Sequence, residues 1–318
     1  MNVLIVTNVY LPKWLNPKQS SFVRDQIALI NKYHPNVEFT LYTIRGNENK
    51  FSYIKSIWEV YKLTRSGKFD LVHIHYGISG LFLLFTPKPS IPVIITLHGG
   101  DIQIEQGKKG QVALTKRIIK KCDYVISLSE RMKSIVKEYN YRTSIIPISV
   151  DTEFFQPKPH KREDVVNIIF PGSLDRTIKN HPLFLKTVDI LQKEYGYIVN
   201  EIDFDNISRE EVRDNYRMAD LVLLTSTSEG SPGVIKEGMS CNLPIVSTNV
   251  GDVASNLEGV ANCAVAQDMD AEELALLCDK CLKNEIPGIT GREKLAQLGF
   301  DDKTICDKIY SLYKDLTK

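Results

Sequence analysis

No stretch of this sequence stays apolar long enough to cross a bilayer. The longest run, Ile78–Phe85, is broken by Ser79 and Gly80 and stopped by Pro87 and Pro89, far short of the ~20 residues a spanning helix needs. The opening residues, Met1–Thr7 (MNVLIVT), show neither a basic leader nor a small-residue cleavage site, so they read as a first strand and a cytoplasmic location is expected. A cysteine framework is missing too: the six cysteines, at 122, 241, 263, 278, 281 and 306, are scattered, and only Cys278 and Cys281 have a metal-like spacing, with no second pair nearby. Reduced, packed thiols are expected there, with no disulfide scaffold and no structural zinc. The absence of repeats and low-complexity segments excludes solenoid, collagenous and disordered classes.

What is present is the composition of a globular α/β protein, 43% hydrophobic and 25% charged over 318 residues, a length that suits two domains and therefore a cleft. The formal net charge is only +1, yet residues 1–150 hold 21 lysines and arginines against 10 acids, and residues 151–318 hold 19 against 29. A basic half beside an acidic half points the first at an anionic partner: a nucleic acid, a membrane surface or a charged acceptor.

Short β-branched runs recur at 3–7, 37–43, 71–75, 92–97, 124–128 and 144–147, separated by stretches of helical period such as Phe22–Tyr33 and Tyr53–Arg65. The stretch Val150–Asp164, with Pro157, Pro159 and the charged run HKRED, reads as a linker. A second series follows at 165–170, 197–203, 221–225, 243–247 and 263–266. Strand and helix in alternation predict two doubly wound parallel sheets in tandem, with ligands outside the carboxyl ends of the strands. The expected division is 1–155, 156–300, and a final helix over 301–318 that packs on either domain, with the first the favoured partner.

The segment Thr225–Asp252 (TSTSEGSPGVIKEGMSCNLPIVSTNVGD) carries the most chemistry. A buried strand ends at Leu224, and Ser231-Pro232-Gly233 then opens a helix, with Ser231 as N-cap and Pro232 at the first helical position. Its free N–H groups suit a phosphate or diphosphate. Glu237 lies about five residues on, ~7.5 Å along the axis, which is the span from a diphosphate to its ribose. Glu229 precedes the helix, where a sugar would sit.

Glu229 and Glu237 match the E-x7-E signature of retaining GT-B glycosyltransferases, and SEGSPGVIKEGMSCNLPIVSTNVGDV resembles the donor region of glycosyltransferase family 4 (group 1). Phe170–Arg176 with Lys179 and Asn180 resembles the loop after the first strand of the family's second domain. The resemblance implies that Gly172 and Ser173 lie along the donor diphosphate, that Lys179 binds it, and that Arg176 supplies the cation normally found at the position of Ser173. Val150–Phe155 matches the family's hinge string. His98-Gly99-Gly100-Asp101, at a strand's carboxyl end, resembles the HGxD element, which places His98 against the transferred sugar or acceptor and Asp101 beside it. His75, sharing a strand face with His73, lines the same side. Two departures stand out: the loop Tyr10–Ser21 has no glycine where the family usually has some, and residues 197–208 leave room for one strand where relatives commonly have two.

The resemblance implies a GT-B architecture and transfer of a hexose-type sugar, with retention, from a nucleoside-diphosphate sugar to an acceptor hydroxyl. No cofactor is implied, and no Asp-x-Asp pair is expected at a strand end to hold a divalent ion. Bacterial relatives that build capsule, exopolysaccharide or lipopolysaccharide imply a lipid-linked or oligosaccharide acceptor and no nucleic-acid partner. The basic run Lys108–Lys121 is the expected contact with anionic lipid at the inner face of the membrane. Two other classes share the architecture and stay open. One is a nucleotide-sugar epimerase, which needs more acid/base groups around the sugar. The other is a non-catalytic nucleotide-sugar-binding module, which the two departures would suit.

Overall fold

The computed structural model describes residues 1–8, 22–46, 48–103, 105, 107–159, 163–205 and 207–318. The glycine-free loop and the first three residues of the HKRED run lie outside the described residues. The chain divides into two units, Met1–Ile148 with Lys303–Lys318, and Ser149–Asp302.

In the first unit, β1 (Asn2–Thr7), β2 (Glu38–Thr43), β3 (Leu71–His75), β4 (Val93–Thr96), β5 (Tyr124–Ser127) and β6 (Thr143–Ile145) form a parallel sheet in the order 2-1-3-4-5-6. The accompanying helices are α1 (Phe22–Tyr33), α2 (Phe51–Thr64), α3 (Phe82–Phe85), α4 (Lys109–Ile119) and α5 (Glu130–Lys137). Alternation sends successive side chains to opposite faces: Leu4, Val6, Val72 and Ile74 to one core, Val3, Ile5, Leu71 and Ile94 to the other. Because both faces are covered, the strands read as near-continuous apolar runs.

In the second unit, β7 (Val165–Phe170), β8 (Ile198–Asp203), β9 (Leu221–Leu224), β10 (Ile245–Thr248) and β11 (Cys263–Ala266) form a parallel sheet in the order 11-10-9-7-8. Its helices are α6 (His181–Lys193), α7 (Arg209–Met218), α8 (Gly233–Ser240), α9 (Val253–Leu257), α10 (Ala271–Leu282) and α11 (Gly291–Leu298). Among the described residues, β8 is the one strand between α6 and α7. Strand β10 begins two residues later than its sequence suggested, because the Leu243 N–H caps α8 on the Gly238 carbonyl and Pro244 has no N–H to give. Cys278 and Cys281 of α10 are buried in this core, where desolvation pushes the Cys281 thiol up to about 12.

The final helix, α12 (Asp302–Leu316), inserts Ile305, Cys306, Ile309 and Tyr313 into the core of the first unit beside Val3, Ile5 and Ile94. Residues 149–155, expected to end the first domain and begin a linker, pack in the second unit. Phe155 is fully buried, meets Tyr216 edge to face, and its carbonyl accepts from Ser240 Oγ at 2.6 Å and Arg292 Nη1 at 3.0 Å. No described helix is long and apolar enough to cross a membrane.

Candidate functional site

Each sheet has a switch point where the chain, after laying a strand on one side of the first, returns to the other: between β3 and β1 in the first unit, and between β9 and β7 in the second. Loops at such carboxyl ends form ligand crevices in open α/β sheets. The expected site residues of the second unit lie on these loops or on the helix that follows, while in the first unit His75 ends β3 and His98–Asp101 follow its neighbour β4.

In the second unit, the loop after β7 folds back through a 3-10 turn, Thr177–Lys179, that ends on Asn180 in the left-handed region (φ 52°). A side chain at Gly172 would come within 2.9 Å of Lys179 Cγ, so the glycine is what lets the lysine stem lie along the backbone. Lys179 is 6% exposed, and its Nζ reaches Glu229 Oε1 at 2.7 Å. Ser226 Oγ donates to the same carboxylate oxygen at 2.8 Å. Thr225 Oγ1 donates to the Lys179 carbonyl at 3.0 Å and the Thr227 N–H to Ile178 at 2.8 Å, which ties the two loops together.

Helix α8 starts one residue later than expected. Pro232 is its N-cap residue, in extended conformation, and makes no side-chain cap; Gly233 is the first helical residue. Ser231 is not the cap because its hydroxyl faces inward, 2.5 Å from Asp252 Oδ2 and accepting from Lys236 Nζ at 2.8 Å. Gly251, at φ 59°, brings the turn before Asp252 against the Glu229 and Gly230 carbonyls, where a Cβ would lie 3.2 and 3.0 Å away. Lys236 is fully buried, and desolvation pushes its amine down to about 8 against the opposing pull of Asp252. Glu237 is held by Arg209 Nη1 at 3.1 Å and by the buried Tyr216 hydroxyl at 3.2 Å. The Arg209 guanidinium also lies over the Phe155 ring, 4.8 Å from its centre. Sequence reasoning missed Arg209, Tyr216, Ser226 and Lys236.

Two further expected positions lie on the loop after β7. Ser173 Oγ lies 2.5 and 2.6 Å from Asp175 Oδ1 and Asp205 Oδ1, so it is bound to carboxylates, while Arg176 is exposed at the start of the 3-10 turn. An Asp-x-Asp pair does stand at a strand end, contrary to expectation: Asp203 and Asp205, at the end of β8. Both carboxylates are engaged locally, Asp203 Oδ1 by the Asp205 N–H at 2.9 Å and Asp205 Oδ1 by Ser173. The described residues contain no group of three or more His, Cys, Asp or Glu placed to hold a metal ion.

In the first unit, His75 ends β3 and His98 follows β4. His75 Nδ1 lies 3.3 Å from His98 Nε2, and the His73 ring is 4.3 Å from that of His75. His73 bridges Thr96 Oγ1 at 2.7 Å and the hydroxyl of Tyr313, from α12, at 2.5 Å. Burial pushes His98 down to about 4 and His73 to about 3, and His75 also moves well below its ordinary value. All three imidazoles are therefore neutral near pH 7. Gly99, at φ 102°, and Gly100 turn the chain after His98. Asp101 is completely buried and faces the backbone, accepting from the His98 and Gly77 N–H groups at 3.0 Å; it shapes the loop instead of facing an acceptor. Burial outweighs those hydrogen bonds and pushes its carboxyl up to about 6. Tyr76, which sequence reasoning passed over, holds φ 73°, a strained value for an aromatic residue, with its ring stacked 6.3 Å from that of His98.

Comparison with known proteins agrees with this arrangement. Residues 18–154 match the model of Glycosyltransferase Family 4, and residues 200–284 that of Glycosyl transferases group 1. TuaC of Bacillus subtilis, named for teichuronic acid biosynthesis, is 25% identical over 58% of this chain and 54% of its own. The chain thus spans little more than half the length of that relative. The Escherichia coli UDP-Gal:alpha-D-GlcNAc-diphosphoundecaprenol alpha-1,3-galactosyltransferase is 23% identical over 87% of this chain and 84% of its own. Sucrose-phosphate synthase from Thermosynechococcus elongatus superposes with a TM-score of 0.75 over 99% of this chain and 98% of its own, at 16% identity, which shows the shared GT-B fold. With two family models matched in tandem on two parallel sheets, the chain belongs to the group 1, family 4 glycosyltransferases.

Proposed function

We propose that the chain transfers a sugar from a nucleoside-diphosphate donor to an acceptor hydroxyl, with retention and without a metal ion. The observation that carries this reading is the Lys179–Glu229 pair at a switch point, beside the N-terminus of α8. In this reading the diphosphate takes the place of Glu229 on Lys179, and Glu229 turns to the hydroxyls of the sugar. Glu237, already oriented by Arg209 and Tyr216, accepts from the ribose. As the bond from the anomeric carbon to the β-phosphate oxygen breaks, charge collects on that oxygen, and Lys179, already held in place, stabilises it, with a smaller contribution from the exposed Arg176. The acceptor oxygen bonds to the same face of the anomeric carbon, and its proton passes to the departing phosphate. His98, neutral at pH 7, offers a hydrogen bond to the sugar or acceptor.

The relative named for UDP-galactose and a diphosphoundecaprenol-linked acceptor makes UDP the first nucleotide to try and a lipid-linked saccharide the first acceptor. An acceptor of that kind places the chain at the inner face of the cell membrane, in synthesis of a surface polysaccharide. The test is a thermal-shift screen against UDP, GDP, ADP and CMP with their sugar conjugates, followed by release of nucleoside diphosphate. Saturation at 100 times Kd adds about 2.7 kcal/mol of stability. A shift with one diphosphate and acceptor-dependent release supports the reading. Binding without release leaves a binding module, and conversion of the sugar without release leaves an epimerase.

A further inference from the structure

The exposed apolar side chains are unevenly placed. Most stand singly, as is ordinary on a protein surface. On α2, however, Phe51, Ile54 and Trp58 are 73%, 59% and 58% exposed, and Phe85 at the end of α3, which packs on α2, is 62% exposed. Spacings of three and four residues put Phe51, Ile54 and Trp58 on one face of the helix, while Ile57 and Val60 enter the core on the other. Exposed Lys55, Lys62 and Arg65 border this face. Residues 50–68 hold five cations, Lys50, Lys55, Lys62, Arg65 and Lys68, and one acid, Glu59, which is paired with Lys55 at 3.3 Å. Lys50 also stands at the N-cap of α2 with no side-chain cap, where the helix dipole disfavours a cation and an anion in front would be welcome.

Aromatic and aliphatic side chains projecting from a helix, with long cationic side chains around them, is the chemistry of a surface that lies in the headgroup layer of an anionic bilayer. The sequence had pointed instead to α4. That helix is as basic, but its apolar residues Val112, Ile118 and Ile119 are buried, and Lys116 and Lys120 lie over the Tyr139 ring at 5.1 and 5.3 Å. It offers charge with no large apolar group to insert.

We infer that the α2 face docks the first unit on an anionic lipid surface, with Phe51, Ile54 and Trp58 entering the interface and Phe85 beside them. The inference names the membrane contact of the proposed lipid-linked reaction and rests on that reading only for its purpose. The lipid is recognised by its charge and apolar boundary, so the probe is phosphatidylcholine vesicles with and without phosphatidylglycerol.

Wild type should sediment with the anionic vesicles only. Trp58 is one of two tryptophans in the chain, so the difference between wild type and Trp58→Phe isolates its emission, which should move to shorter wavelength on binding. The triple variant Phe51→Ser, Ile54→Ser, Trp58→Ser should lower partition roughly tenfold or more, since it removes the groups that enter the interface. A variant with Lys108, Lys109, Lys116, Lys120 and Lys121 changed to Gln should lower it far less. The UDP thermal shift of the triple variant reports folding and the donor site separately. If that shift is absent while vesicles still bind, the donor reading fails and the docking face stands. Undiminished vesicle binding by a triple variant, a Trp58 emission that stays put, or no binding by wild type overturns the inference. So does a triple variant whose change is the loss of a dimer in place of the loss of vesicle binding.

Discussion

At the carboxyl ends of β7 and β9 the ionisable side chains meet as opposite charges, Lys179 with Glu229 and, on the adjoining helices, Arg209 with Glu237. At the ends of β3 and β4 the corresponding positions hold three histidines kept neutral by burial, and an aspartate turned to the backbone. The two switch points share a topology and differ in how they treat charge. A site of preformed ion pairs has partners ready to exchange with an anionic ligand, because each pair already holds a cation in place. A site of neutral, mutually packed imidazoles offers hydrogen bonds and shape, which suits hydroxyls. In the proposed reading, the charged site takes the donor diphosphate and the neutral one the sugar or acceptor.

The sharpest way to break the comparison is to remove the cation from the charged side. Lys179→Ala should lower kcat/KM by about 10²–10³, or about 2.7–4 kcal/mol of transition-state stabilisation, with a smaller change in donor Kd. Glu237→Ala should do the reverse, weakening UDP binding by about 1.5–3 kcal/mol, as loss of a charged hydrogen-bond acceptor does, and leaving kcat closer to wild type. Single-turnover transfer beside equilibrium UDP binding measures both. Equal and small effects of the two changes would remove the donor assignment.

Acidification should separate the units next. The histidines have folded values pushed below their unfolded ~6.5, so the stability they contribute is present above that value and is lost as pH falls toward about 4 and below. Asp101 runs the other way: raised to about 6, it contributes stability below ~3.9 that is lost as pH rises through about 6. Three groups oppose one, and each proton amounts to about 1.4 kcal/mol per pH unit, so the first unit should weaken between pH 6.5 and 4.5. Lys236 gives the second unit an alkaline counterpart, because its contribution is present above ~10.4 and is lost as pH falls through about 8. Hydrogen exchange resolved by segment, at pH 5, 7 and 9, checks both signs.

The strands were legible because a buried parallel sheet writes itself as short β-branched runs, and the candidate loop after β9 because its glycines and glutamates fall within one segment. Other features left no local trace. Tyr313 meets His73 across 240 positions of chain, a contact set by the packing of α12 and invisible to any window of sequence. Asp101 looked like a cleft residue since its motif records position and not direction; in the structure the backbone N–H groups of His98 and Gly77 draw it inward. Lys236 had one available signal: most other residues of α8 are apolar or small, so the helix had little solvated face on which to place a lysine.

The histidine row itself is tested by Tyr313→Phe, which removes one hydroxyl from a fully buried imidazole. Leaving His73 Nδ1 without its partner should cost about 1–3 kcal/mol of stability by urea denaturation of the intact chain. If Tyr313 serves only to pack α12, donor Kd and kcat stay at wild-type values. If it also aligns His98 through His73 and His75, kcat falls while UDP binding does not.

The smallest expected effect falls on the charged side, at Arg176. Unlike Lys179, it is exposed, and the loop does not hold its guanidinium against a carboxylate as Lys179 is held by Glu229. An exposed, unfixed cation is screened and must lose side-chain freedom to engage, so its interaction is worth about 0–1 kcal/mol. Arg176→Ala should therefore lower kcat/KM less than about fivefold, and the loss should shrink further as salt is raised. An effect as large as that of Lys179→Ala would mean that donor binding orders Arg176 onto the departing phosphate. The cations of this site would then be assembled by the ligand, and the contrast between the two switch points would lie in what each can recruit as much as in what each already holds.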